Sequence, residues 1–293
     1  MYRQAILTLL ILGSAAFAGA TTPAPKSLLH NTRQSSQDLE VTGLLRDLPA
    51  GQSAYIRYAD LLALPQSKAT IDDNPDYKGQ LHISGVSFET LASALGVLPQ
   101  SDLVDALCTD RYRSHFPAEY IAQHHPILVL TIDRKPLAAW SAATHQYDPS
   151  PYVVMYPHFI PSFKVLAHQD QPQLPDNLIR LNFTTQAATF NPLAPRGTFA
   201  PNSPELQGFA IAKQNCLRCH FLSNSGGTKS GRTWQSLGTW AREQPAFFQS
   251  YVSNPAKLEP HAHMPANPTY DQPTLAALTT YFRTFSAPTK GKH

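Results

Sequence analysis

The chain has 293 residues, 42% of them hydrophobic, with a formal net charge of +3, 26 prolines and three cysteines. That length and apolar content allow more than one buried core, so small peptide and disordered classes are excluded. The charge is too small to point to nucleic acid, and three cysteines do not make a disulfide framework.

Residues 1–20 read as a secretory signal. Arg3 supplies the positive end, residues 5–17 the apolar stretch, and Ala16-Phe17-Ala18 or Ala18-Gly19-Ala20 the small-residue cleavage site. The mature chain is therefore expected outside the cytoplasm, periplasmic or secreted, with no membrane association unless the signal stays uncleaved. Residues 21–38 are polar and rich in Ser, Thr and Pro, the composition of a flexible lead-in.

From Leu39 the pattern changes. Val41-Thr42-Gly43-Leu44-Leu45 and residues 54–58 read as strands, and residues 58–65 as a short helical turn stopped by Pro65. Apolar residues at 88, 91, 92 and 95 make one face of a helix, with Gly96 as its stop. Residues 107–116 alternate, which predicts a strand with Arg111, Arg113 and His115 on one face. That face is either a cradle for an anion or a charged strand edge. Residues 127–132 form a buried strand, Asp133-Arg134-Lys135-Pro136 a turn, and residues 151–156 and 178–183 further strands. Cys108 reads as a packed small residue, and His124-His125 as a loop pair rather than two ligands of one metal. Strand runs with short helices between them predict an α+β domain over residues 39–183. Residues 184–202, with Pro192, Pro195 and Pro201, predict an extended linker.

The second domain, residues 203–287, opens at Ser203-Pro204-Glu205, a capping residue, a first-turn proline and a first-turn acid. Cys216-Leu217-Arg218-Cys219-His220 follows. Two thiols three positions apart suit the two vinyl groups of one porphyrin, and the adjacent imidazole reaches its iron. A structural zinc site needs a second Cys/His pair, which is missing, and a thioredoxin-like pair needs a preceding strand, whereas residues 203–215 read as helix. Gly226-Gly227 reads as a turn, and Trp234, Trp240, Phe247, Phe248 and Tyr251 as pocket wall or plain core. A last helix is entered near Asp271 and carries Leu275, Leu278, Tyr281, Phe282 and Phe285; residues 288–293 are a tail. Residues 203–293 hold nine Lys/Arg against four Asp/Glu. That positive module suits steering toward an acidic redox partner or is an ordinary solvated surface.

Two resemblances follow. Residues 39–183 resemble the oxidoreductase molybdopterin-binding domains of sulfite-oxidase type, on Val41-Thr42-Gly43, the Ala59 to Gln66 run, Gly85-Val86 with Leu91 and Leu95, Asp110-Arg111-Tyr112, the 132–137 turn and Ile179-Arg180-Leu181. Where the molybdenum enzymes of that family supply a thiolate, residues 67–84 hold no cysteine, and Cys108 comes after the helix. A soft metal–thiolate bond is not replaced by Ser or Asp, so molybdopterin is not expected in the family's manner. Residues 203–285 resemble class I cytochromes c, in which the first and last helices cross at a small residue and an aromatic, here Gly208-Phe209 with Tyr281. That resemblance implies haem c bound covalently through Cys216 and Cys219, with His220 and Met264 as axial ligands; His261 and His263 compete with Met264 for the distal position.

The expected fold is thus an α+β molybdopterin-binding type domain followed by an all-α cytochrome c domain. The expected function is one-electron transfer to a redox partner protein such as a periplasmic dehydrogenase or oxidase. The alternatives are an oxidoreductase of a small anion that passes electrons to its own haem, and a partner-binding module that carries a haem.

Overall fold

The computed structural model describes residues 27–285; the expected signal at 1–20 and the tail at 288–293 lie outside them. Within the expected flexible lead-in, residues 27–38 are docked. His30 exchanges backbone hydrogen bonds with Tyr55 at 2.9 and 2.8 Å. Buried Asp38 accepts from the Gln34 and Ser35 amides and pairs with Arg57. A buried carboxylate with that many donors anchors the segment.

Strand β1 (Leu39–Gly43) pairs antiparallel with β2 (Ser53–Ile56), and α1 (Tyr58–Ala63) ends before Pro65. β3 (Ser67–Ile71) and β4 (Leu81–Ser87) form an antiparallel pair. Helix α2 (Phe88–Leu95) starts where the Ser87 hydroxyl accepts from the Thr90 amide. It buries Phe88, Leu91 and Leu95 and stops at Gly96, whose φ of 62° is left-handed. The predicted single strand over 107–116 is instead a hairpin of β5 (Leu103–Cys108) and β6 (Arg113–Pro117). The reason is an Asx turn: Asp110 Oδ1 accepts from the Tyr112 amide at 2.9 Å while Arg111 takes φ 70°.

Next come α3 (Ala118–His124), β7 (Ile127–Ile132), β8 (Lys135–Pro136) and α4 (Leu137–Thr144). They are followed by β9 (Val153–Met155), β10 (Lys164–Val165), β11 (His168–Gln169) and β12 (Leu178–Thr184). One sheet runs β2-β1-β12-β5-β6, parallel only between β1 and β12; the other runs β3-β4-β7-β8, with β9 also on β7. Val41, Ala106, Phe116 and Leu181 of the first sheet share a core with Leu128, Leu130 and Val154 of the second. The opposite face of β7, Ile127 and Val129, packs on Trp140 of α4. A strand buried on both faces reads as an unbroken apolar run, which is why Ile127 to Ile132 shows no alternation.

The expected extended linker is folded in its first half. Thr185 caps α5 (Gln186–Phe190), a 3₁₀ turn follows over Asn191–Leu193, and Phe190 and Leu193 are buried. Then α6 (Pro204–Asn215), capped by Ser203, runs into a 3₁₀ turn at Cys216–Arg218 and a small hairpin of β13 (Phe221–Leu222) and β14 (Ser225–Gly226). Helices α7 (Trp234–Glu243), α8 (Pro245–Ser253), α9 (Pro255–Leu258) and α10 (Gln272–Arg283) complete the described chain, α10 capped by Asp271.

The molecule is therefore mixed α/β, and its helical part is not a separate all-α body. That part contains β13 and β14, and its core of Ile211, Leu217, Trp234, Leu275, Leu278 and Phe282 also takes in Leu103, Phe190 and Leu193. Among the described residues no helix is long and apolar enough to cross a membrane.

Candidate functional site

Helix α6 meets α10 at Gly208. A Cβ there would lie 2.2 Å from the Ala277 carbonyl oxygen and 2.6 Å from Tyr281 Cβ, so only glycine permits this approach. Phe209 packs on the Tyr281 ring at 5.7 Å. Buried Tyr281 accepts from Trp234 Nε1 at 2.9 Å and donates to the Leu193 carbonyl at 2.6 Å. This crossing sets where the end of α6 points.

The chain leaves α6 in a tight turn. The His220 amide donates to the Cys216 carbonyl at 2.9 Å and the Gly227 amide to the Leu217 carbonyl at 2.8 Å, with the Leu217 side chain fully buried beneath. His220 Nδ1 lies 3.1 Å from the Arg232 carbonyl oxygen and 3.0 Å from Ser230 Oγ. A carbonyl only accepts, so Nδ1 carries the proton and Nε2 keeps its lone pair. Burial lowers the His220 pKa, which keeps the ring neutral. Ser230 and Arg232 are orienting residues that the sequence alone did not single out; nothing marks them except their closeness to the motif.

A cavity of about 440 Å³ collects the predicted residues: Cys216, Cys219, His220 and Met264 all line it, with Leu237, Phe248, Leu278 and Phe282 as apolar wall. Met264 arrives on a loop pinned at Asn267, which donates to the Ser253 and Val252 carbonyls at 2.9 and 3.0 Å. His261 and His263 are exposed and do not line the cavity. Burial pushes the Cys216 thiol up to about 12 and raises that of Cys219, so neither is a free thiolate at neutral pH.

The donor set is compatible with a covalently attached haem. Among the described residues no three His, Cys, Asp or Glu side chains are grouped as ligands of one ion, and no carboxylate lines the cavity. Two thiols and an imidazole open instead onto an apolar space of ligand size, with a thioether also in its lining.

The remaining candidates are scattered. Arg111 sits at the exposed tip of the β5–β6 turn, Arg113 pairs with Asp105 at 2.5 Å, and His115 is buried. The three do not form an anion cradle, because the turn takes Arg111 off the strand. Cys108 is buried at the end of β5, and burial drives its thiol pKa up. His124 bonds Asp170 at 3.1 Å while His125, in a left-handed cap, faces Glu89 at 2.8 Å. Tyr112 and Gln171 line the cavity from the sheet side, which the sequence did not signal.

No family model matches the chain, and no curated protein does. Among solved structures the chain is similar to the sulfane dehydrogenase SoxCD from Paracoccus pantotrophus, with 15% identity and a TM-score of 0.36. The likeness covers 53% of this chain and 40% of that one, so the chain spans less than half the length of that neighbour.

Proposed function

We propose that this chain is an exported monohaem c-type cytochrome that carries single electrons, with an N-terminal domain of sulfite-oxidase-like, molybdopterin-binding type serving for docking or electron delivery. One observation carries the reading: Cys216, Cys219, His220 and Met264 line one apolar cavity although Met264 stands far along the chain from the motif. Cys216 and Cys219 would hold haem c by thioether bonds. His220, its Nδ1 proton engaged by the Arg232 carbonyl so that Nε2 stays free, and Met264 would be the side chains that hold its iron. When bound, the haem supplies a one-electron iron couple. The chain's own contribution would be to hold the His220 and Met264 side chains in place and to exclude water from the cavity with the Phe248 and Phe282 rings in its wall.

Partners are another redox protein, such as a dehydrogenase or oxidase in the periplasm, and the N-terminal signal at 1–20 sends the chain there. Molybdopterin is not part of the proposal. Residues 67–84 lack a cysteine and the buried, neutral Cys108 thiol is no substitute.

The test is maturation of the full chain in a host that attaches c-type haem. The expected product is red, keeps its pigment through acidified organic solvent, and holds equimolar haem iron without molybdenum. Colourless protein, or pigment that extracts freely, refutes the reading. The Cys216→Ser, Cys219→Ser double variant is expected to lose the covalent pigment.

A further inference from the structure

One histidine of the α+β part reaches the end of α6, and the haem reading has no use for it so far. His168 stands on the β10–β11 hairpin opposite Val165, which packs on the helical core, and it is 3% exposed. Its Nε2 lies 3.1 Å from Gln214 Oε1 and 3.3 Å from Asn215 Nδ2. Nε2 therefore has a partner in either tautomer: as a donor it meets the Gln214 oxygen, as an acceptor the Asn215 amide. Burial lowers the His168 pKa, which keeps the ring neutral. The ring also stands edge-on to Tyr270, with centroids 5.2 Å apart.

His168 does not line the proposed haem cavity, but Asn215 and Tyr270 both do. Asn215 Nδ2 donates to the Tyr270 hydroxyl at 2.6 Å. Burial raises the Tyr270 phenol pKa, so the hydroxyl stays protonated. With an N–H already at its oxygen, that proton turns away from Asn215, and it meets no acceptor among the described residues. The backbone of Tyr270 is fixed as well: its amide donates to the Asn267 carbonyl at 3.1 Å on the loop that carries Met264, and Asp271 beside it caps α10.

We propose that His168 is a positioning residue for Tyr270, and that the Tyr270 hydroxyl so held raises the reduction potential of the proposed haem. The inference rests on the haem reading and deepens it. An O–H dipole with its proton toward the cavity opposes the extra positive charge of oxidised iron. Asn215 is the link: one amide touches both the His168 ring and the Tyr270 hydroxyl. The α+β part thus tunes the cofactor of the helical part from outside the cavity.

The test is a redox titration of the full mature chain carrying its haem. Tyr270→Phe, which removes one oxygen and keeps the ring, is expected to raise the oxidised-to-reduced ratio at the parent's midpoint about fivefold, the worth of one hydrogen bond. That is a fall of about 40 mV, at about 59 mV per tenfold for one electron. His168→Phe, which keeps a ring and drops both nitrogens, is expected to move the potential the same way. His168→Gln, which keeps a polar group, is expected to restore the parent value. Because His168 acts through Tyr270, the double variant with both phenylalanines shifts no further than Tyr270→Phe alone. A His168→Phe protein that melts lower at an unmoved potential has lost only packing and overturns the proposal, as do shifts that add in full. If His168→Phe does not fold, Tyr270→Phe decides, and an unmoved potential there overturns the proposal too. Colourless protein overturns the haem reading and this inference together; coloured protein with an unmoved potential overturns this inference alone.

Discussion

Replacing Gly208 by alanine forces α6 away from α10. The new Cβ would stand 2.2 Å from Ala277 O, 2.7 Å from Ala277 C and 2.6 Å from Tyr281 Cβ, where ordinary contact begins at 3.4 Å. Two of those atoms are backbone and cannot rotate aside, so the helices must separate by about an ångström. Overpacking of this kind costs about 1–3 kcal/mol, and disturbing the Tyr281 bonds to Trp234 and Leu193 adds about 1 kcal/mol. The better helix propensity of alanine offsets about 1 kcal/mol. The net loss of about 1–3 kcal/mol lowers Tm by about 3–9 °C for a chain of this size. Thermal unfolding followed by circular dichroism reads it, with Gln207→Ala on the same helix as a control expected within about 0.5 kcal/mol of the parent. A Gly208→Ala protein that melts at or above the parent refutes the close-crossing argument.

Met264→Ala is expected to abolish the weak long-wavelength sulfur-to-iron band of the oxidised protein and to lower its reduction potential; an unchanged spectrum assigns the distal position elsewhere. Tyr281→Phe strands buried Trp234 Nε1 and the Leu193 carbonyl together, and denaturant unfolding is expected to show a loss of about 2–4 kcal/mol. His115 tests the sign of a buried titration. Burial puts its folded pKa at about 4, below the unfolded value of about 6.5, so the unfolded chain takes the proton first as pH falls. The stability that depends on the neutral ring is complete above about pH 6.5 and is lost down to about pH 4. The stability difference between the parent and His115→Gln should therefore shift by about 1–3 kcal/mol across that window, in the direction of a weakening parent. A difference that stays constant with pH in paired melts refutes it.

Local signals in the sequence located the elements that carry their own punctuation. Ser87 and Gly96 bracket α2, Ser203 and Pro204 open α6, and Asp271 opens α10, each through a cap that depends on neighbouring residues alone. Cys216, Cys219 and His220 stand in one local run, whereas Met264 was singled out through the resemblance to class I cytochromes c; the fold brings all four to one cavity lining. What escaped was set by tertiary context. The alternation at 107–116 concealed a hairpin because Thr109 to Tyr112 carries no glycine; the Asp110 side chain and the backbone bonds of Cys108 with Arg111 and Tyr112 close the turn. Residues 186–193 read as tether because Pro192 and the prolines that follow at 195 and 201 are visible and the segment's partners are not. Phe190 and Leu193 fold there because the helical core offers a place to bury them. Strand β3, with its mixed Ser, Lys and Thr, pairs along one side of β4 at the sheet edge, where burial is too slight to impose a period.

The folded connection changes how the two parts of the chain act on each other. An extended tether would let the proposed haem module swing and make electron delivery a matter of effective concentration. Instead the Tyr281 hydroxyl closes on the Leu193 carbonyl at 2.6 Å, and Leu103 of β5 is buried in the helical core. The turn after β5 presses on the loop after the motif: the Thr228 amide donates to the Arg111 carbonyl at 3.2 Å and Lys229 pairs with Asp110 at 2.5 Å. The Lys229 pair is about half exposed on both sides and contributes little by itself. The buried apolar residues and the Tyr281 bond bear the coupling, since separating the parts would expose Leu103, Phe190 and Leu193 to water at about 1.5–3 kcal/mol each. Tyr112 and Gln171 therefore stand as a fixed wall of the cavity. Any electron that reaches the proposed haem from this side must pass through that wall rather than wait for a moving domain to bring a donor close.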